Sequence, residues 1–159
     1  MRREGKGRLP WGAVLGLIAA AAAGAACEEP EPEPGLEPWV QADFEATLDE
    51  VITCRRSPEH DLSYVRIFAN ALASGTYLQR DEPFAAGSLV IKAEFVDENC
   101  GESIGFSAMR RNEAGGAWEW QALDERRVVL EQGDLRNCSG CHDECGQAPE
   151  GWDGVCAIP

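Results

Sequence analysis

Residues 87–96, Gly-Ser-Leu-Val-Ile-Lys-Ala-Glu-Phe-Val, are the stretch that best indicates the fold. A turn-forming Gly-Ser pair precedes a run rich in β-branched and apolar residues, and polar residues alternate with apolar ones at its far end. This pattern predicts a β-strand over residues 89–96. The strand contains one cation, Lys92, which is costly to bury in charged form without a partner or a chemical use.

Further strands are predicted on both sides of this one. Residues 62–68 alternate in polarity, and residues 104–110 form another strand candidate. A turn at 112–116 then leads into residues 117–123, which predicts a β-hairpin. Strands in consecutive order with short connections indicate an antiparallel sheet.

Helices are predicted to flank the sheet. Residues 42–53 place their apolar side chains at the spacing of one helical face (Phe44, Leu48, Val51 and Ile52). Residues 69–78 are compatible with either a short helix or a loop. Together with a helical C-terminal segment, these elements predict an α+β fold that is mainly antiparallel β-sheet.

Length and charge narrow the class of protein. The chain has 159 residues and a formal net charge of −14, with Asp and Glu twice as numerous as Lys and Arg. This length allows about one domain, which argues against a large multidomain enzyme or a polytopic membrane protein. No nucleic-acid partner is expected, because a surface this acidic repels phosphate backbones.

The N-terminus has the layout of an export signal. Residues 1–26 combine a basic start, an apolar stretch and small residues before Cys27, which predicts a signal peptide. The residues just before Cys27 resemble the lipobox of bacterial lipoproteins, so Cys27 is predicted to carry lipid; the alternative is an ordinary signal with an incidental thiol. Residues 27–38 contain an alternation of Glu and Pro over positions 29–34 and predict an extended acidic tether. Residues 39–159 then form the domain of a periplasmic or outer-membrane-anchored lipoprotein.

Near the C-terminus, Cys138-Ser139-Gly140-Cys141-His142 forms the C-x-x-C-H pattern of c-type haem attachment. Two thiols about one helical turn apart can each add to one vinyl group of the porphyrin, and the adjacent His142 can then ligate the iron. Residues 133–137 provide a turn and a helix start, with Asp134 as a candidate cap. A plain disulfide is the main alternative, whereas zinc is disfavoured because no second C-x-x-C is present.

Four cysteines remain after Cys27 and the C-x-x-C-H pair: Cys54, Cys100, Cys145 and Cys156. An even remainder in an oxidising compartment predicts two disulfides, for which three pairings exist. One pairing joins Cys145 to Cys156 in a short C-terminal loop and Cys54 to Cys100. The sequence does not choose among the three.

The order of motifs resembles that of the cytochrome P-460 family. The resemblance rests on residues 64–70 (YVRIFAN), 83–92 (PFAAGSLVIK), 106–110 (FSAMR), 118–120 (WEW) and 138–142 (CSGCH). It implies a mostly antiparallel β fold, generally dimeric, with one covalently attached c-type haem, His142 as its proximal ligand and an open distal side. It also implies a role for Lys92, which matches the lysine that enzymatic members join covalently to the haem.

Two functions of different classes follow from the resemblance. The first is an enzyme that oxidises hydroxylamine at a five-coordinate haem and passes electrons to a redox partner protein. The second is a non-catalytic haem protein that binds nitric oxide or transfers electrons.

After removal of the signal peptide, Lys92 is the single lysine of the chain, since Lys6 leaves with the signal.

Other residues are weaker candidates for the site. Several carboxylates follow Lys92 and could serve as a distal base, namely Glu94, Asp97, Glu98 and Glu102. Met109 could in principle ligate iron but is predicted to be core, and His60 is predicted to lie in a loop. Trp118 and Trp120 share one strand face and are predicted to line the core or the haem.

Overall fold

The computed structural model of the protein describes residues 35–57, 63–114, 116–146 and 151–156. The elements are α1 (Phe44–Thr47), β1 (Asp49–Arg56), β2 (Tyr64–Ala69), α2 (Ser74–Gln79), β3 (Leu89–Phe95), β4 (Ser103–Arg111), β5 (Trp118–Leu123), β6 (Val129–Gly133) and α3 (Arg136–His142). The predicted signal peptide, Cys27, the first part of the tether and His60 lie outside the described residues. No helix in these ranges is long and apolar enough to cross a membrane.

The strands form a six-stranded sheet in which each strand pairs antiparallel with the next one along the chain. This confirms the predicted α+β class with a mainly antiparallel sheet. β3 lies inside the sheet, paired with β2 on one side and β4 on the other. The predicted hairpin is formed by β4 and β5, and the ambiguous segment 69–78 ends in the short helix α2.

Each face of the sheet carries its own apolar cluster, because successive side chains of a strand point to opposite faces. On one face, here called the α3 face, Val90, Met109 and Trp120 form a cluster against which Cys138 of α3 packs. On the other, here called the α1 face, Phe44 of α1 packs with residues that include Ile91. α3 therefore covers the same face of β3 that carries Val90.

The prediction of a helix over residues 42–53 is wrong for most of its length. α1 covers only one turn, and β1 follows it directly. The register of β1 against β2 shifts between Glu50 and Ile52, so the consecutive residues Val51 and Ile52 both pack against the α3-face cluster. This bulge makes the apolar spacing look helical, while pairing with β2 and the β-branched residues favour a strand.

Two further features near the C-terminus differ from the sequence prediction. β6 was not predicted, because it is an edge strand whose side chains Leu130, Glu131 and Gln132 are exposed and show little apolar pattern. Asp134 does not cap α3, since the N-cap residue is Leu135 and makes no side-chain hydrogen bond. The strand therefore runs almost directly into the C-x-x-C-H helix.

A buried amide joins the sheet to the end of the predicted tether and to the residue that follows it. Gln121 of β5 is 1% exposed. Its Oε1 accepts a hydrogen bond from the backbone N–H of Trp39 at 2.7 Å, and its Nε2 donates to the carbonyl of Glu37 at 2.9 Å. This amide therefore ties residues 37 and 39 to β5.

Candidate functional site

The C-x-x-C-H residues are the last five of the seven residues of α3. Cys138 is half-buried against the α3-face cluster, whereas Cys141 is exposed. Neither thiol is part of a disulfide. Residues three apart on a helix are neighbours on its surface, so both thiols are presented together.

The other four cysteines within the described residues form two disulfides. Cys54 pairs with Cys100, and Cys145 pairs with Cys156. The structure thus selects one of the three pairings that the sequence left open. Four of the described cysteines therefore form disulfides, and the other two, Cys138 and Cys141, are thiols.

His142 is held in a defined orientation at the end of α3. Its Nδ1 lies 2.6 Å from the backbone carbonyl oxygen of Gly154. A carbonyl only accepts hydrogen bonds, so this contact assigns the proton to Nδ1 and makes Nε2 the nitrogen suited to ligate a metal. The imidazole also packs edge-on against Trp120 of β5, with ring centroids 4.5 Å apart.

Gly154 belongs to a C-terminal loop, residues 151–156, which packs on the α3 face. Trp152 and Val155 of this loop belong to or pack against the α3-face cluster. The side chain of Asp153 pairs with the guanidinium of Arg111 and accepts a hydrogen bond from the backbone N–H of Phe84 at 2.9 Å. The disulfide of Cys145 and Cys156 joins this loop to the segment that follows α3.

Lys92 lies on the α3 face, two residues from Val90 on β3. Its Nζ is 3.1 Å from Oε1 of Glu94, and its side chain is 14% exposed. The hydroxyl of Ser107, which is paired with Lys92 across the sheet, donates to the same Glu94 oxygen at 3.0 Å. Lys92, Glu94 and Ser107 thus form a half-buried polar group on the face that α3 covers.

The polar group and the C-x-x-C-H helix interact electrostatically. Burial raises the pKa of the Cys138 thiol. The positive charge of Lys92 opposes this rise, while Glu131, Cys141 and Glu94 add to it. Lys92 and Glu94 are therefore close enough to Cys138 to influence its charge.

The structure distinguishes among the carboxylates that were candidates for a distal base. Glu94 lies beside Lys92, whereas Asp97, Glu98 and Glu102 lie in the turn between β3 and β4. Asp97 accepts hydrogen bonds from three backbone N–H groups of that turn, and these hold its pKa below the usual range, the one from Glu102 most strongly. Asp97 therefore has a structural role in the turn.

The remaining predicted residues are core or aromatic neighbours of the site. Met109 is 4% exposed and belongs to the α3-face cluster, which confirms its prediction as core. Trp118 and Trp120 both contact this cluster, as predicted for one strand face. Trp118 also donates its Nε1–H to the carbonyl of Asp153 at 2.8 Å.

A groove of about 520 Å³ lies elsewhere on the domain. Its lining includes Trp39, Leu89 and Arg110, and the guanidinium of Arg110 stacks over the Trp39 ring at 4.2 Å. Leu89 packs against the α1-face cluster, so this groove is on the side of the sheet opposite α3. It does not coincide with the thiols, His142 or Lys92.

The residues on the α3 face fit the attachment of a c-type haem. Such a group needs two thiols and one nitrogen ligand from the protein, and Cys138, Cys141 and His142 could supply them from one helix. Among the described residues, no three His, Cys, Asp or Glu side chains converge in a way that could hold a bare metal ion. A porphyrin brings four iron ligands itself, so one histidine is sufficient.

Sequence reasoning missed Gly154, whose carbonyl contacts His142, and the neighbouring pair of Asp153 and Arg111. The Asp153-Gly154 dipeptide is a turn signal and could have indicated a tight turn. Its contacts with β4 and with the end of α3 could not be read from the sequence, because they join segments far apart in the chain.

In comparisons with known proteins, no protein-family model and no curated protein sequence matches the chain. The resemblance to the cytochrome P-460 family therefore stays a prediction.

Proposed function

We propose that this chain is an exported c-type haem protein that acts on or binds a small nitrogen compound. Cys138 and Cys141 would hold the haem through thioether bonds, and His142 would be its axial ligand. The main support is that these two thiols stay outside the disulfides while the other four described cysteines pair. The Nδ1 contact of His142 with Gly154 adds to this, because metal-ligating histidines commonly donate their other nitrogen to such a partner.

The chemistry of attachment agrees with the state of the thiols. Each thioether forms when a thiol adds across a vinyl group, so that sulfur bonds to carbon and the thiol hydrogen is transferred to the neighbouring carbon. This step needs reduced thiols at both Cys138 and Cys141. A disulfide between them would block it.

The proposed activity is oxidation of hydroxylamine, as the resemblance implies, with electrons passed to a redox partner. The haem would supply the iron at which the nitrogen compound is bound and oxidised. Glu94 is the residue proposed to take up protons. Its carboxylate is half-buried, pairs with Lys92 and accepts a hydrogen bond from Ser107. Lys92 is the residue proposed for a covalent link to the haem.

The contact of Lys92 with Glu94 also favours a second function. At 3.1 Å it is an ion pair, which stabilises the protonated form of the lysine. A covalent link requires the neutral amine, so a persistent ion pair would leave Lys92 unlinked. The protein would then be a binder of nitric oxide or a one-electron carrier.

Mass and spectroscopy test the haem proposal. The protein is expressed with its signal peptide in a host that attaches c-type haem, and its intact mass and reduced absorption spectrum are recorded. We expect one haem per chain, and none in the double variant Cys138→Ala, Cys141→Ala. The matched control Cys54→Ala, Cys100→Ala removes a disulfide and should keep the haem; wild-type protein without haem refutes the proposal.

Peptide mapping and turnover separate the two functions. A Lys92 peptide joined to the haem peptide, together with reduction of the ferric protein by hydroxylamine, supports the enzyme. A separate Lys92 peptide and no turnover with a competent electron acceptor support the binding or electron-transfer protein. Nitric oxide titration of the reduced protein then distinguishes a nitric oxide binder from an electron-transfer protein.

The location is proposed from the N-terminal sequence. A signal peptide over residues 1–26 and lipid on Cys27 would tether the domain to a membrane through the acidic segment 27–38. Fractionation of cells tests this, since the variant Cys27→Ala should move the protein from the membrane to the soluble fraction. Wild-type protein in the soluble fraction would contradict the anchor.

A further inference from the structure

The C-terminal loop, residues 151–156, has a structural task that the C-x-x-C-H pattern does not explain. It brings the carbonyl of Gly154 to within 2.6 Å of Nδ1 of His142. In metal sites, a partner on the second ring nitrogen sets the tautomer and the orientation of the imidazole and raises its basicity. The position of Gly154 therefore bears directly on how His142 would ligate the iron.

Asp153 holds Gly154 in place from three directions. Its carboxylate pairs with the guanidinium of Arg111 and accepts the N–H of Phe84 at 2.9 Å, and its carbonyl accepts the Nε1–H of Trp118 at 2.8 Å. The Arg111 side chain is only 10% exposed. One residue thus ties the loop to β4, to β5 and to the segment before β3.

The backbone of the loop is equally specific. Asp153 and Gly154 have φ values of 46° and 86°, and Trp152 and Val155 exchange backbone hydrogen bonds on either side. Two successive residues with positive φ between such a pair define a tight turn that favours Asp-Gly. A Cβ atom at position 154 would lie 2.9 Å from Nε1 of Trp118, so only glycine fits there.

The loop is also joined to the end of α3. The N–H of Gly154 donates to the carbonyl of Cys145 at 3.1 Å, and the N–H of Cys145 donates to the carbonyl of His142 at 3.0 Å. The disulfide from Cys145 to Cys156 closes this arrangement covalently. Movement of the loop would therefore be transmitted to His142.

We propose that Asp153 is a positioning residue for His142: it anchors the C-terminal loop so that the Gly154 carbonyl keeps the imidazole in one tautomer and orientation. This inference rests on the proposed function, because it takes His142 to be the iron ligand. Loss of the anchor would weaken the hydrogen bond at Nδ1 and make the imidazole a poorer electron donor. The ferric form would then be less stabilised, and the reduction potential would rise.

The test compares Asp153→Asn with Asp124→Asn in the full-length haem protein. Asp124 is a matched control because it accepts backbone hydrogen bonds in the turn between β5 and β6, away from the loop. We expect Asp153→Asn to keep one haem per chain, with a positive shift of the reduction potential and a lower iron–histidine stretching frequency in the ferrous state. The Asp124 variant should match the wild type in both measurements. Wild-type values in Asp153→Asn would overturn the proposal.

A second measurement does not depend on the haem. The chain has two histidines, His60 and His142. Nitrogen-15 spectra of the haem-free Cys138→Ala, Cys141→Ala protein should show a protonated Nδ1 on His142, and this signal should be lost when Asp153→Asn is added. A protonated Nδ1 that persists in the Asp153 variant would refute the positioning role, whereas absence of haem from the wild type would refute only the proposed function.

A milder variant covers the case in which Asp153→Asn does not fold. Trp118→Phe keeps an aromatic ring but removes the donor to the Asp153 carbonyl. We expect it to shift the reduction potential in the same direction and by less. An unshifted potential in folded Trp118→Phe, with Asp153→Asn unfolded, would count against the proposal.

Discussion

Removal of the disulfide between Cys54 and Cys100 should destabilise the domain strongly without changing the proposed haem site. The bridge joins edge strand β1 to the turn between β3 and β4, at a sequence separation of 46 residues. The loop-closure entropy for this length corresponds to about 4 kcal/mol of unfolding free energy at room temperature. The double variant Cys54→Ala, Cys100→Ala should lose about that amount.

Urea denaturation measures this loss. With a slope of about 2 kcal/mol per M, the midpoint should fall by about 2 M. The absorption spectrum and the haem content should stay as in the wild type, because neither cysteine belongs to α3 or to the C-terminal loop.

The bridge between Cys145 and Cys156 provides the contrast. Its sequence separation of 11 residues corresponds to a smaller loss, about 3 kcal/mol, when it is removed. That variant should nevertheless alter the iron–histidine stretching frequency, because the backbone N–H of Cys145 donates a hydrogen bond to the carbonyl of His142. A loss below about 1 kcal/mol in the Cys54 and Cys100 variant, or a changed spectrum there, would refute the reasoning.

Three further predictions concern single side chains. Met109→Ala should cost about 2–5 kcal/mol in urea denaturation because it opens a cavity in the α3-face cluster, with an unchanged haem spectrum; a changed axial ligand field would contradict its role as core. For the proposed enzyme, Glu94→Gln should lower hydroxylamine oxidation by about 100- to 10,000-fold at unchanged haem content, whereas Glu98→Gln should leave turnover as it is. Burial raises the pKa of Tyr77, so the unfolded chain releases this proton at lower pH than the folded one, and stability should fall above about pH 10. Tyr77→Phe should flatten that decline in urea midpoints, and a slope equal to that of the wild type would refute the assignment.

The strands of the sheet interior could be predicted because their patterning is local. β3 has a run of β-branched and apolar residues, a turn signal at 112–116 separates β4 from β5 in the sequence, and the pairing of these strands follows chain order. β1 could not be predicted, since a bulge against β2 alters the spacing of its apolar residues. β6 escaped prediction because an exposed edge strand needs no apolar face.

Part of the candidate site could likewise be predicted from the sequence, and part required the tertiary structure. The spacing of Cys138, Cys141 and His142 is visible in the sequence because all three lie on one short helix. The choice of Glu94 among four carboxylates required the pairing of β3 with β4, which places Ser107 beside Lys92. Burial and register decided that choice, and neither is a property of a single segment.

The sequence by itself thus determined the sheet class and the C-x-x-C-H spacing, and it predicted a mature chain with one lysine and four cysteines left for two disulfides. Tertiary structure alone decided which cysteines pair, which carboxylate meets Lys92 and how Gly154 reaches His142. The physical reason is the range of the interactions. Periodicity and motif spacing act over a few residues, whereas the contacts of Asp153 with Phe84, Arg111 and Trp118 form only when distant segments pack on one face of the sheet.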